Sequence, residues 1–266
     1  IGGRELFVTP SIGITLYPFD DRTSDELLRN ADAAMFDAKE QGGNTFRFYT
    51  AEMNARAERR LTLETGLRHA LERGEFLLHY QPQVDIVSGE ILGAEALIRW
   101  QHPDWGLVSP AEFVSLAEET GLILPIGEWV LAEACTQARI WHDAGYAGLR
   151  IAVNLSGRQL AQKNLVETVA ATLTRCAVAR GVLELEITES LLMQDLEQTA
   201  GTLEALAALG VTVSMDDFGT GYSSLSYLKR LPIDVLKIDQ SFVRDISSDP
   251  DDAAIVQAII AMAHSL

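Results

Sequence analysis

Of the 266 residues only two are cysteines, Cys135 and Cys176, 41 positions apart. They make no ligand pair and no redox motif. A thiolate zinc site is therefore excluded, and both read as buried inert thiols in a reducing cytoplasm. Basic charge is also scarce, since 21 Lys and Arg against 38 Asp and Glu leave a net −17. The deficit is uneven: residues 1–60 hold 8 basic and 10 acidic side chains, and the remainder holds 13 and 28. Gripping a DNA or RNA polymer needs clustered cations to replace counterions, so that class is excluded. A small phosphate ligand is not, because bound metals invert the local charge. Long hydrophobic runs are missing as well. The longest, Ile255 to Ala263, is broken by Gln257, and crossing a bilayer takes about 20 apolar residues. The opening Ile1-Gly2-Gly3-Arg4 carries no signal peptide and reads as the middle of a domain. The five histidines show no ligand spacing and read as surface or packing residues.

What is present falls into three stretches. Ser11 to Tyr17 reads as a strand closed by Pro18. A helix capped by Ser24 carries Leu27, Leu28, Ala31, Ala34, Met35 and Ala38 at helical spacing and ends at Gly42-Gly43. Thr45 to Tyr49 reads as a second strand. These three elements make a poor core alone and look like the back end of a larger domain, residues 1–50. Residues 51–73 read as a polar connecting helix. From residue 76 strands and helices alternate. Strands are expected at 76–81, 91–98, 150–155, 183–188, 211–216 and 235–239, and helices at 110–119, 127–145, 165–180, 191–209 and 223–230. This rhythm predicts a mainly parallel sheet covered by helices. No Gly-x-Gly-x-x-Gly turn follows the first strand, which favours a (β/α)₈ barrel over a dinucleotide-binding sheet.

Polar residues gather at the strand ends. Glu95, Glu186, Asp216 and Asp217 stand there, with Asn154 and Lys237 at similar places. Unpartnered carboxylates in a strand-lined interior cost several kcal/mol. Oxygen-only ligands point to Mg²⁺ or Mn²⁺ rather than zinc. Asp216 and Asp217 are adjacent and repel each other. A metal that both can reach resolves that conflict, and two metals about 3.5–4 Å apart resolve it better. Glu184 alternates with Glu186 and points the same way, but Glu186 is nearer the mouth. Glu189 lies past the strand, placed to cap the next helix. Lys237 projects to the same side as Asp239 and needs carboxylate neighbours. Taken singly, most of these have ordinary alternatives: a Glu95–Arg99 ion pair, Asn154 as a turn residue, or Asp217 as a helix cap. The Asp217-Phe218-Gly219 tripeptide also occurs in protein kinases, but the rest of that signature is absent.

Six phrases in order carry a resemblance to the EAL domain family, phosphodiesterases specific for cyclic di-GMP. They are Tyr80-Gln81-Pro82, Gly93 through Trp100, Val153-Asn154-Leu155-Ser156, Glu186 through Ser190, Asp216 through Leu225, and Leu236-Lys237-Ile238-Asp239. They span residues 61–266. Residues 5–50 resemble the tail of a GGDEF (diguanylate cyclase) domain, through Ser11 to Ile14 and Ala31 to Lys39. The cyclase signature is not in this chain, and Gly42-Gly43-Asn44 stands where that family often has Gly-Arg-Asn. No cyclase activity is expected.

The resemblance implies an α/β fold, a TIM-like (β/α)₈ barrel here truncated after about six strands, and two divalent cations. Glu95, Asn154, Glu186 and Asp216 would bind one cation, and Asp216 would bridge to a second shared with Asp217. A water activated by the metals would attack phosphorus in line and open cyclic di-GMP to linear pGpG. Lys237, Asp217 and Glu95 take catalytic roles; Gln81, Arg99 and Asp239 contact substrate; Gly219, Thr220 and Gly221 form a loop over the site. A later glutamate of the family, expected to complete the second metal site, is not among residues 1–266. Turnover by these residues alone is therefore expected to be weak or absent. A receptor that binds cyclic di-GMP without cleaving it is the alternative, and an unrelated barrel metalloenzyme explains the carboxylates but not the ordered phrases. The resemblance further implies upstream GGDEF and sensor domains in a longer parent protein, with a homodimer through the EAL domain and a membrane tether in an upstream segment as compatible arrangements.

Overall fold

The chain divides into two compact units, residues 1–68 and 69–266. The computed structural model describes residues 9–192, 196–221, 228 and 230–265. In the first unit, β1 (Ile12–Ile14) pairs in parallel with β2 (Phe46–Phe48), and α1 (Ser24–Glu40) connects them. Both strands are shorter than expected, and among the described residues each pairs only with the other. The cap of α1 is Thr23, not Ser24: Thr23 is extended and its side chain accepts from the Glu26 N–H, while Ser24 is already helical. Gly13 lets β1 lie directly on α1, where an added Cβ would sit 1.9 Å from the Ala31 carbonyl oxygen. The connecting helix α2 (Ala51–Ala70) ends three residues early, in a turn where Gly74 takes φ +65. Its first half is fastened to α1. Arg56 donates to Asp37 at 2.9 Å and Arg60 to Glu40 at 2.8 Å, while Asn54 donates to both Asn30 and Tyr49.

In the second unit the strands are β3 (Phe76–Val84), β4 (Ile91–His102), β5 (Gly106–Val108), β6 (Arg150–Asn154), β7 (Leu183–Thr188), β8 (Thr212–Phe218) and β9 (Val235–Ile238). They lie in the order β3-β4-β6-β7-β8-β9, with β5 paired to β4. From β4 through β9 along that path every pairing is parallel. The β3–β4 and β4–β5 pairs are antiparallel. A connection as short as Asp85–Glu90 can turn a hairpin but cannot make a parallel crossover.

The helices are α3 (Pro110–Thr120), α4 (Ile123–Asp143), α5 (Gly157–Leu160), α6 (Leu165–Cys176), α7 (Glu189–Leu192), α8 (Leu196–Leu209), α9 (Gln240–Arg244) and α10 (Pro250–Ser265). Helix α4 begins four residues before the expected Gly127. Helix α6 stops at Cys176, short of Arg180, because Ala177 turns left-handed at φ 50. The expected 191–209 helix is met by α7 and α8 on either side of residues 193–195. The helix expected over 223–230 lies outside the described residues except at Leu228 and Arg230. No described helix is long and apolar enough to cross a membrane.

Strand β7 shows how the sheet is built. Leu183, Leu185 and Ile187 are buried on one face, and Glu184 and Glu186 are equally buried on the other. Crossover helices cover the apolar face, as parallel sheets require. The opposite face therefore gathers polar side chains.

Candidate functional site

Register decides which polar residues meet. Glu95 of β4 lies across from Ala152, Asn154 from Glu186, Glu186 from Ser214, and Thr188 from Asp216. Register partners present side chains to the same face, so positions distant in sequence become neighbours at one end of the sheet. Glu95, Glu186 and Asp216 converge there on the ammonium of Lys237. Nζ donates to Glu186 Oε2 at 2.6 Å, to Asp216 Oδ2 at 2.9 Å and to Glu95 Oε2 at 3.4 Å. Asn154 Nδ2 donates to the other oxygen of Glu95 at 2.7 Å. The Glu95–Arg99 ion pair does not form among the described residues; the Arg99 guanidinium donates to the Ile98 carbonyl instead.

Burial sets the electrostatics. The Glu186 side chain is 0% exposed and that of Lys237 is 25% exposed. Burial pushes the Glu186 carboxyl up to about 7; Lys237 pulls the other way, and Glu95 and Asp216 add to the rise. Burial alone would lower the Lys237 pKa, but its hydrogen bonds to Glu186 and Asp216 outweigh that and hold it above the ordinary lysine value. Glu186 Oε1 is buried with no hydrogen-bond partner. Glu184, one alternation back on β7, is paired with Arg150 at 3.6 Å and stands apart from this cluster.

The pair Asp216-Asp217 is separated by its backbone. The β8–β9 register shifts between Met215 and Phe218, and Asp217 adopts φ 54. Its N–H donates to Asp216 Oδ1 at 2.9 Å. Its carboxyl is exposed and does not bond Lys237. Burial, followed by the nearby charges of Asp216 and Asp239, raises its pKa. Asp239 is not a strand residue: it caps α9, accepting from the Ser241 N–H at 2.8 Å. Gln81, exposed on β3, is the register partner of Glu95. Arg99 and Asn154 border a cavity of about 300 Å³ whose walls include Leu97, Phe113, Ile126 and Thr188.

Glu189 takes a position the sequence did not suggest. It is buried at 1% exposure and does not cap a helix. Its Oε2 accepts from the Gly219 N–H at 2.9 Å and from the Gly221 N–H at 3.4 Å. An added Cβ on Gly221 would come within 2.7 Å of that carboxylate, which explains the glycine. Thr220 Oγ1 donates to the Asp217 carbonyl at 2.9 Å. One buried carboxylate thus holds the loop that follows Asp217. Nothing in the spacing of Glu186 and Glu189 signals this, because the loop lies 30 residues further on.

No three His, Cys, Asp or Glu side chains among the described residues are arranged as a ready metal cage; the carboxylates close on Lys237 instead. The residues nonetheless fit a hard divalent cation. Three carboxylate oxygens, Glu95 Oε2, Glu186 Oε2 and Asp216 Oδ2, converge on one point, now held by the Lys237 ammonium. The cluster also sets three carboxylates, Glu95, Glu186 and Asp216, against one ammonium, with the exposed Asp217 next along the chain, an imbalance a cation would offset.

Comparison with known proteins adds the family context. The EAL domain family matches residues 64–266, and the diguanylate cyclase, GGDEF domain family matches residues 1–45. The chain is 52% identical over 266 residues to the bifunctional diguanylate cyclase/cyclic di-GMP phosphodiesterase MucR of Pseudomonas aeruginosa, covering all of this chain and 39% of that protein. It is 43% identical to the cyclic di-GMP phosphodiesterase PdeR of Escherichia coli, over all of this chain and 40% of the relative. The chain thus spans about two fifths of the length of these relatives. Among solved structures, a PaMucR phosphodiesterase in complex with c-di-GMP matches with a TM-score of 0.75 at 52% identity, covering 77% of this chain and 83% of that one. The FimX EAL domain from Pseudomonas aeruginosa bound to c-di-GMP matches with a TM-score of 0.69 at 27% identity, covering 76% and 81%.

Proposed function

This chain belongs to the EAL domain family, and we propose that it binds cyclic di-GMP and hydrolyses one phosphodiester bond to give linear pGpG. Its α/β fold is the TIM-like barrel type of its structural neighbours. The observation that carries the reading is the convergence of Glu95, Glu186 and Asp216 on Lys237, with Asn154 bonded to Glu95. In this proposal Glu95, Asn154, Glu186 and Asp216 would hold one Mg²⁺ or Mn²⁺, and Asp216 with Asp217 a second. Such cations, when bound, polarise a phosphoryl oxygen and acidify water.

The chain's own residues supply the rest. Lys237 Nζ sits among the carboxylates, where it neutralises negative charge and can donate to a phosphoryl oxygen as charge develops. Arg99, on the wall of the apolar cavity, offers a guanidinium for a phosphate oxygen, and the wall itself offers a dry face for a purine. In this proposal Gln81, the register partner of Glu95, and Asp239, the cap of α9, would contact substrate. Asp217, whose carboxyl is exposed and has its pKa raised, would accept a proton from the attacking water. Hydrolysis adds the water's oxygen to phosphorus, breaks one P–O ester bond and leaves a phosphomonoester with a free sugar hydroxyl.

The test is turnover of cyclic di-GMP by the intact protein, followed by separation of the nucleotides. Wild type is expected to yield pGpG in the presence of Mn²⁺, and Asp216→Asn to yield none. Binding of cyclic di-GMP by wild type with no turnover would make the domain a receptor and sink the hydrolytic assignment.

A further inference from the structure

Two buried polar atoms without hydrogen-bond partners lie on neighbouring strands: Glu186 Oε1 on β7 and Ser214 Oγ on β8. The two residues are register partners, so their side chains leave the same face of the sheet from strands about 4.8 Å apart. Ser214 is 0% exposed and Glu186 is 1% exposed. Their chemistry is complementary, because a carboxylate oxygen accepts and a hydroxyl donates. The polar groups around them are already engaged. Glu186 Oε2 is taken by Lys237, the Asn154 amide by Glu95, and Glu184 by Arg150. Buried polar groups are rarely left bare. The two oxygens do not bond directly. Two hydrogen bonds of about 2.8 Å each suit a single water between side chains this far apart.

We propose that Ser214 is a positioning residue: through one buried water its hydroxyl fixes the inner oxygen of Glu186 and keeps the outer oxygen aimed at the mouth of the site. The inference deepens the metal-site reading above and rests on it for the purpose of that aim. Partners that orient a ligand in this way typically matter tenfold or more to metal affinity. Their effect appears in metal binding rather than in the fold.

Two measurements on the intact protein test it. Crystals of wild type and Ser214→Ala are compared at a resolution that shows ordered water. A peak within hydrogen-bond distance of both Ser214 Oγ and Glu186 Oε1 is expected in wild type and is expected to vanish in the variant. Mn²⁺ is then titrated calorimetrically without nucleotide, and Ser214→Ala is expected to bind it about tenfold more weakly, with an unchanged metal-free unfolding midpoint. Should Ser214→Ala not fold, Ser214→Cys, similar in size but a poor donor, is expected to show the same weakening. Wild-type density with no bridging water, or equal Mn²⁺ affinity in wild type and variant, overturns the proposal. If wild type itself takes up no Mn²⁺, the metal reading fails, and the density still decides whether Ser214 and Glu186 are bridged.

Discussion

At the scale of single residues, the site is a competition between burial and charge. Glu186 shows it best: burial lifts its carboxyl to about 7 despite the Lys237 ammonium at 2.6 Å. The folded protein therefore holds a proton there that the unfolded chain releases near its ordinary value of 4.5. Stability from this group is fully present below that value and is lost as pH rises to about 7. Lys237, with its pKa raised, contributes stability that is present below its ordinary 10.5 and is lost only above it. The metal-free unfolding midpoint of wild type should therefore fall over the first window, and Glu186→Gln should flatten that slope. Identical slopes would remove Glu186 as the cause. Lys237→Met leaves three carboxylates facing one another, and turnover should fall by about 10²–10³, the usual cost of losing one charge-stabilising donor. Steady-state rates with cyclic di-GMP check this. The candidate residues were legible because carboxylates at successive strand ends are costly and so conspicuous. The Asp239 helix cap and the left-handed Asp217 were not, since both depend on where a strand stops.

Among elements, the loop after β8 depends on a carboxylate from another part of the chain. Glu189 opens α7 and bonds the amides of Gly219 and Gly221. A neutral amide accepts more weakly than a carboxylate from those N–H groups. Glu189→Gln should thus loosen the loop and lower kcat/KM about tenfold while the unfolding midpoint stays near wild type; unchanged kinetics would show the loop is held otherwise. Element types were largely readable from periodicity and turn residues. Directions were not fully so, since the six-residue Asp85–Glu90 connection makes β3 antiparallel within an otherwise parallel path. Helix ends also moved, as at Ala177, where a non-glycine left-handed residue gives no sequence signal.

For the whole molecule, charge and ligation dominate. The net −17 leaves the site's carboxylates in a repulsive field, so a cation bound there should stabilise the folded state by mass action. At about 100 times its Kd, Mn²⁺ should add about 2.7 kcal/mol. Differential scanning calorimetry should show the unfolding midpoint rising with Mn²⁺ and returning when EDTA is added. A midpoint indifferent to both would argue against a metal site.

The sequence by itself determined the α/β rhythm, the identity of the strand-end carboxylates and the resemblance to the EAL family, because these are written in local periodicity and in short contiguous phrases. Only the tertiary structure decided which of those groups meet. Strand register sets Glu186 beside Ser214 and Asn154, folding brings Lys237 among three carboxylates, and Glu189 reaches a loop 30 residues away. Such neighbours are fixed by pairing and packing between distant segments, and no local pattern encodes them.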